Sequence, residues 1–159
     1  MIRVQESVVI SRLVEEVFCY TSNPENFPQW AATVREVRRD SPGRDPLREG
    51  GRFTATQKAL GRSFEAPFEV IDYEPNRRYA HWGTEGHPVP VTMVFAYERL
   101  SSDGTRFTPL VQRHHGSKHR LAGTSPKWPI FVACYALQAS CKMHIQACYF
   151  RERHFHALG

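Results

Sequence analysis

The sequence predicts an α+β domain in which a curved antiparallel sheet is covered by one long helix near the C-terminus. Two segments alternate apolar and polar residues with a period of two, which is typical of strands with one buried face; their apolar positions are Phe64, Ala66, Phe68, Val70, Val91, Met93, Phe95 and Tyr97. After Pro129 no Gly or Pro interrupts the chain until its last residue, and apolar side chains there recur at helical spacing; these are Ile130, Cys134, Leu137, Cys141, Ile145, Cys148 and Phe155. A sheet with one apolar face must bury that face, so we expect the helix to lie on it.

The N-terminal part predicts one strand followed by two short helices. Residues 2–10, "IRVQESVVI", combine alternation with β-branched residues and predict a strand. Residues 11–22, "SRLVEEVFCYTS", place apolar residues from Leu13 to Phe18 at helical spacing, with two glutamates near the start, where the helix dipole favours them. In "NPENFPQW", Asn23 is a good cap and Pro24 suits the first helical position, whereas Pro28 is expected to end that turn just before Trp30.

The middle of the chain predicts a meander of about five or six strands. "TVREVRR" is expected to be an edge strand, and "SPGRDPLREGG" is a cluster of helix and strand breakers that predicts a loop. Two strands follow around a turn at 59–62, and Pro67 within the second indicates a sheet edge or a bulge nearby. "RRYAHWGTEG" and "VPVTMVFAYERL" predict a further pair, "SSDG" a turn, and "TRFTPLVQ" the last strand.

Length and composition predict a single domain over residues 1–159. No stretch reaches the roughly 18 apolar residues of a membrane-spanning helix, and the N-terminus does not resemble a secretory signal, so we expect a cytoplasmic protein without a membrane span. The net charge of +5 is uneven: residues 1–108 hold 14 Lys or Arg and 15 Asp or Glu, whereas residues 109–159 hold 7 and 1. The basic residues of the second part are scattered, so we expect no nucleic-acid partner.

Residues 109–159 also contain six of the eight histidines and three of the four cysteines. Cysteines seven apart in a helix are about 10 Å from one another, too far for a disulfide, so reduced thiols are expected. Cys141, His144 and Cys148 could face one ion, but a fourth ligand would have to come from His114, His115 or His119 in a loop. A cysteine on a helix stripe is usually a small core residue, so we expect no metal and no cofactor.

Several segments, in matching order and spacing, resemble the START-like (SRPBCC) superfamily, in particular its polyketide cyclase/dehydrase and lipid-transport branch. The resemblance covers residues 1–108 and rests on "VVISRLVEEVFCYTSNPENFPQW", "GRFTATQKALGR", "FEVIDYEPNRRYA" and "DGTRFT". It implies a Bet v 1-like helix-grip fold, in which a curved antiparallel sheet wraps around the C-terminal helix and leaves a cavity for an apolar or aromatic ligand. Residues 109–159 depart from the family pattern, which reflects either divergence or a shifted reading frame.

The resemblance implies that function lies in this cavity, since the sequence has no hydrolase, nucleotide-binding or zincin motif. Trp30 would then stand where the short helices close one end of the cavity. His81 and Tyr97 are weak candidates for catalysis, as an acid or base near neutral pH and as a hydrogen-bond donor. The residues predicted to face a ligand are Trp30, Phe53, Phe64, Phe68, His81, Met93, Phe95 and Tyr97.

Three functions stay open at this point. The first is binding of a hydrophobic or aromatic small molecule, such as a lipid or a polyketide-like compound, driven by removal of apolar surface from water. The second is a cyclase, aromatase or dehydratase reaction in the same pocket. The third is a protein-partner module such as a chaperone regulator, which would require an exposed apolar patch; a homodimer is compatible with each.

Overall fold

The computed structural model describes residues 2–41, 43, 46–59, 61–87, 91–101 and 103–113. The predicted C-terminal helix lies outside the described residues, together with the six histidines and three cysteines of residues 109–159. The architecture below is therefore that of the sheet and of the helices that precede its meander.

Within the described residues, eight strands form one antiparallel sheet. They are β1 (Ile2–Gln5), β2 (Val8–Ile10), β3 (Val34–Arg39), β4 (Arg52–Ala59), β5 (Arg62–Glu74), β6 (Arg78–Gly83), β7 (Val91–Ser101) and β8 (Gly104–Arg113). The order across the sheet is β1-β8-β7-β6-β5-β4-β3, and β2 also pairs with β8. The predicted meander is thus confirmed as six consecutive strands, with the N-terminal strands added beside the last one and β3 at the opposite edge.

The single strand predicted for residues 2–10 is divided in two opposite a proline. Gln5 of β1 pairs with Leu110 and Val8 of β2 pairs with Phe107, so the interruption faces Thr108 and Pro109 of β8. Glu6 donates its backbone N–H to the Pro109 carbonyl over 3.2 Å, but a proline has no N–H to return. The backbone hydrogen-bond ladder is therefore interrupted here, and a hydrogen bond between the hydroxyls of Ser7 and Thr108, 2.8 Å apart, links the strands instead.

Three short helical segments precede the meander: α1 (Val14–Thr21), a 3₁₀ turn (Pro24–Asn26) and α2 (Phe27–Trp30). Asn23 caps the 3₁₀ turn by accepting the Glu25 N–H, as predicted. Leu13, predicted on the buried stripe of α1, instead occupies its N-cap and is 42% exposed. The expectation that Pro28 ends a helical turn is also wrong, since it lies in the first turn of α2, where the missing N–H costs no helical hydrogen bond.

A β-bulge in β5 changes which of its residues point into the core. Val70 pairs with His81 and Asp72 with Ala80, so Ile71 is an extra residue in the pairing with β6. Tyr73 consequently joins the core cluster beside Tyr79. The bulge predicted from Pro67 therefore exists four residues further along, while Pro67 itself lies next to the residue where the β5–β6 pairing ends.

The two faces of the sheet differ in chemistry. The inner face is apolar and aromatic, and α1 and α2 pack their buried residues against it. The outer face carries ion pairs such as Arg52–Glu69, with 2.9 Å between the nitrogen and oxygen, Arg78–Asp72 at 2.7 Å, and Arg106–Glu98. Pairs this exposed contribute little to stability, so the inner face is where the fold is held together.

Candidate functional site

The candidate site is the aromatic centre of the inner face, built by cross-strand neighbours. Register places Phe53 opposite Phe68, Tyr79 opposite Phe95, and His81 opposite Met93. The rings of Phe53 and Phe68 stack with 5.2 Å between centroids, and those of Tyr79 and Phe95 with 5.9 Å. Such pairs add roughly 0.5–1.5 kcal/mol to the burial of the rings themselves, so the strands fix these side chains firmly.

His81 lies at the middle of this aromatic centre and is only 1% exposed. Five rings surround its imidazole with centroid distances between 5.0 and 5.7 Å; they belong to Phe68, Phe53, Phe95, Tyr79 and Phe27. We call His81 and these five residues the His81 cage. A polar ring in such an environment has lost its hydration and must find partners within the protein or in a ligand.

One nitrogen of His81 has a partner in the cage wall. Its Nε2 lies 3.2 Å from Met93 Sδ, a contact made across the directly paired strands. A thioether sulfur can only accept, so this hydrogen bond places the proton of the neutral imidazole on Nε2. The other nitrogen, Nδ1, then carries a lone pair, and it is shielded from solvent with no hydrogen-bond partner among the described residues.

Burial keeps His81 neutral. Loss of hydration is the main cause that lowers its pKa from 6.5 to about 3, and the nearby His87 lowers it further. The imidazole is therefore uncharged at physiological pH and acts as a hydrogen-bonding group rather than as a cation.

Tyr79 supplies a second polar group to the cage. Its side chain is fully buried, and its hydroxyl has no hydrogen-bond partner among the described residues. Burial raises the pKa of Tyr79 well above its usual value of 10, so the phenol stays protonated. The cage thus holds one acceptor, His81 Nδ1, and one hydroxyl donor whose hydrogen is not used by the described part of the protein.

Tyr97 forms a different arrangement on the same face, near α1. Its hydroxyl lies 2.8 Å from Thr21 Oγ1, and Thr21 in turn donates to the Val17 carbonyl over 2.7 Å. Since the Thr21 hydrogen is directed at Val17, Tyr97 donates its own hydrogen to Thr21. Burial raises the pKa of Tyr97, so its phenol keeps the hydrogen that it donates. We call Tyr97, Thr21 and Val17 the α1 latch, because they join α1 to β7.

The turn after β6 places His87 against the cage. The His87 ring lies 4.8 Å from that of Phe68, and its backbone N–H donates to the Thr84 carbonyl over 3.0 Å. Gly83 makes this approach possible, because a Cβ at that position would lie 2.6 Å from His87 Cγ. A side chain at residue 83 would thus displace His87 from Phe68.

The structure gathers most of the residues predicted to face a ligand. Trp30, Phe53, Phe68, Met93, Phe95 and Tyr97 are buried in one core cluster, and Phe64 is half-buried at its margin. His81 is buried against the rings of Phe53, Phe68 and Phe95. Trp30 makes edge-to-face contacts with Phe27, Phe95 and Phe107, and is 5% exposed. Their roles toward a ligand or in catalysis stay predictions.

Sequence reasoning missed Tyr79, although a usable signal was present. Tyr79, His81 and Gly83 alternate along β6 and share the inner face, so the assignment of His81 to that face implied Tyr79 as well. Phe27 was also missed, because a helix of four residues has too little periodicity to show which face is buried.

Other kinds of site find no support in the described part of the chain. Among those residues no three His, Cys, Asp or Glu side chains are grouped so that they could hold a metal ion. The possible cysteine and histidine ligands of residues 114–148 lie outside them. None of the described helices is long and apolar enough to cross a bilayer.

Comparison with known proteins places this geometry in a family context. Residues 1–123 match the family described as polyketide cyclase / dehydrase and lipid transport. A search of the curated proteins finds no match.

Similar solved structures share the fold at low sequence identity. The Zhui aromatase/cyclase from Streptomyces sp. R1128 aligns with a TM-score of 0.73 and 12% identity over 94% of each chain. A START superfamily protein from Mycobacterium smegmatis has a TM-score of 0.68 and 13% identity over 89% of this chain and 94% of the other. The major latex-like protein 151 of Panax ginseng has a TM-score of 0.67 and 10% identity over 91% and 95%. The predicted helix-grip class is thereby confirmed.

Proposed function

Because this chain belongs to the polyketide cyclase / dehydrase and lipid transport family, we propose that it binds a hydrophobic, ring-containing small molecule at the His81 cage. The observation that carries the proposal is the pair of buried polar groups, His81 Nδ1 and the Tyr79 hydroxyl, that have no partner among the described residues. Leaving a buried polar group without a hydrogen bond costs about 1–3 kcal/mol, so two of them in one aromatic cluster favour a binding role over a purely structural one.

The cage walls supply the driving force for such binding. Removal of apolar surface from water contributes roughly 25 cal/mol per Å², and the rings of Phe27, Phe53, Phe68 and Phe95 offer edges and faces to a planar ligand. The flexible thioether of Met93 adapts to its shape. A few polar groups in an apolar wall are typical of small-molecule sites.

Binding is favoured over proton-transfer catalysis by the electrostatics of His81. A general base works best when its pKa lies near the working pH, but burial lowers the pKa of His81 to about 3. Forming the imidazolium at pH 7 would cost on the order of 5 kcal/mol. A cyclase or dehydratase that used His81 as its base would have to change this environment first.

Trp30 offers a direct test, because its ring contacts Phe27 and Phe95 of the cage. In the double variant Trp82→Phe/Trp128→Phe, Trp30 is the sole tryptophan. Titration with 2-bromonaphthalene, whose heavy atom quenches fluorescence on contact, is expected to quench Trp30 saturably at a 1:1 ratio. Native mass spectrometry of the protein from its own cells is expected to show a carried small molecule.

A matched variant supplies the control. Trp30→Phe/Trp128→Phe leaves only Trp82, which lies on β6 and is 44% exposed, and its fluorescence should respond weakly and without saturation. Equal quenching of both tryptophans, or no saturable quenching of Trp30 in the folded protein, would contradict binding at the cage. Turnover of a poly-β-keto precursor that is lost in His81→Leu would replace binding with catalysis.

A further inference from the structure

Building on the proposed function, we propose that the cage selects ligands by one uncharged hydroxyl group, which donates to His81 Nδ1 and accepts from the Tyr79 hydroxyl. The ligand class is thus a hydroxylated aromatic molecule, such as a phenol or an enol, and not a hydrocarbon, an ether or a carboxylate.

The polarity of each cage group follows from its existing contacts. Met93 Sδ takes the Nε2 hydrogen of His81, so Nδ1 of the neutral ring can only accept. The hydroxyl hydrogen of Tyr79 has no acceptor among the described residues. The two side chains stand two residues apart on β6 with ring centroids 5.6 Å from each other, so the acceptor and the donor belong to neighbouring rings of the same cage.

A single hydroxyl is the smallest group that satisfies both. It has one hydrogen to give to Nδ1 and lone pairs to receive the Tyr79 hydrogen. An ether oxygen can receive from Tyr79 but leaves Nδ1 without a donor. A carboxylate also leaves Nδ1 without a donor, and it places a negative charge next to the lone pair of Nδ1.

The charged and titratable groups around the cage do not supply this missing donor. His87, packed on Phe68, lowers the pKa of His81, and Tyr97, Tyr73 and Arg39 shift the pKa of Tyr79. None of these groups is hydrogen-bonded to His81 Nδ1 or to the Tyr79 hydroxyl. Tyr97 donates to Thr21 in the α1 latch. Asp72, which pairs with Ala80 between the two cage residues of β6, is ion-paired with Arg78 over 2.7 Å on the outer side of the sheet.

The test compares four probes that share one ring system: 2-naphthol, 2-methoxynaphthalene, naphthalene and 2-naphthoate. At pH 7 we expect the wild-type protein to bind 2-naphthol about tenfold more tightly than 2-methoxynaphthalene, because the ether leaves one buried acceptor unpaired. His81→Leu should abolish this preference. Tyr79→Phe should weaken 2-naphthol and 2-methoxynaphthalene alike, since each accepts from the Tyr79 hydroxyl, and should bring the ether to the affinity of naphthalene.

Tyr20→Phe is the matched control, since the Tyr20 hydroxyl donates to Gln29 outside the cage; its hydroxyl preference should equal that of the wild type. Should His81→Leu fail to fold, the ¹⁵N resonance of His81 Nδ1 in the wild type gives the same answer. It should shift with 2-naphthol toward the position of a hydrogen-bonded acceptor and stay unchanged with 2-methoxynaphthalene.

The outcomes separate this proposal from the one on which it rests. Equal affinities for 2-naphthol and 2-methoxynaphthalene, or a preference that survives both variants, would overturn hydroxyl selection while leaving the binding function intact. Failure of all four probes to bind the folded protein would overturn the binding function itself.

Discussion

Two buried tyrosines on the same face of the sheet, Tyr79 and Tyr97, have the same side chain but opposite hydrogen bonding. Tyr97 is part of the α1 latch, where its hydroxyl donates to Thr21 Oγ1 over 2.8 Å and the Thr21 hydroxyl donates to the Val17 carbonyl. Tyr79 belongs to the His81 cage, where its hydroxyl finds no acceptor among the described residues. The latch stabilises the fold, whereas the cage keeps polar groups in a state that costs stability. This difference, and not the aromatic content common to both regions, marks the cage as the candidate site.

Removing a ring from each region is expected to have the largest effect and to test whether they are distinct. Phe53→Ala in the cage and Phe107→Ala beside the latch should each lower the free energy of unfolding by about 3–5 kcal/mol, because both leave a cavity. Only Phe53→Ala should also raise the pKa of His81 toward 6.5, since Phe53 contacts His81 whereas the rings that contact Phe107 are Trp30, Phe95 and Tyr97. Urea denaturation and an NMR titration of the imidazole measure the two quantities. An equal pKa change in both variants would show that the cage is not a separate environment.

The second prediction concerns acid. Because the pKa of His81 is about 3 in the folded state and 6.5 when unperturbed, only the unfolded chain takes up this proton as pH falls from 6.5 toward 3. The contribution of His81 is therefore a loss of stability over that window, by up to about 1.4 kcal/mol per pH unit. Unfolding free energies of the wild type and of His81→Leu should diverge between pH 6.5 and 4, with the wild type losing more. Parallel curves would contradict a neutral, buried imidazole.

The third prediction uses the asymmetry of the latch. Thr21→Val leaves the Tyr97 hydroxyl buried without its partner and should cost about 1–3 kcal/mol, whereas Tyr97→Phe leaves Thr21 still bonded to Val17 and should cost about 0.5–1.5 kcal/mol. Thermal or urea denaturation of both variants measures the difference. Equal costs would mean that Thr21 does not accept from Tyr97.

The smallest effect is expected for Tyr79→Phe. This change removes a hydroxyl that has no partner in the described part of the protein, so the free energy of unfolding should stay unchanged or rise slightly. Tyr97→Phe is its natural comparison, because the same atom is removed from a bonded position. A loss above about 1 kcal/mol in Tyr79→Phe would show that its hydroxyl is already satisfied within the protein.

Much of the fold could be predicted from the sequence, because alternation of apolar residues is a local signal. The inward positions of β5 and β7 follow from that pattern, the buried residues of α1 follow from helical spacing except for Leu13, and β3 lies at the predicted edge. The break between β1 and β2 depends on Pro109, about 100 residues away, and the latch joins residues 76 apart. Such pairings are set by register, which no local pattern contains.

The candidate site could be predicted only in its apolar part. Phe53, Phe68 and Phe95 followed from strand periodicity, and His81 from its place on β6. That His81 bonds to Met93 through Nε2 and that Tyr79 has no acceptor are facts about three-dimensional neighbours. The polar character of the cage, on which the proposed selectivity depends, was therefore beyond sequence reasoning.

The bulge at Ile71 determines which of the following residues of β5 face the core. Before the bulge the even-numbered residues of β5 face inward, and after it Tyr73 does. Without the bulge Ile71 would pair as an ordinary strand residue, the alternation would continue unbroken, and Asp72 would point inward toward Tyr79 instead of toward Arg78. The bulge thus keeps a carboxylate out of the interior, and pairing Ile71 as an ordinary strand residue would change the electrostatics of the inner face without altering a single wall residue.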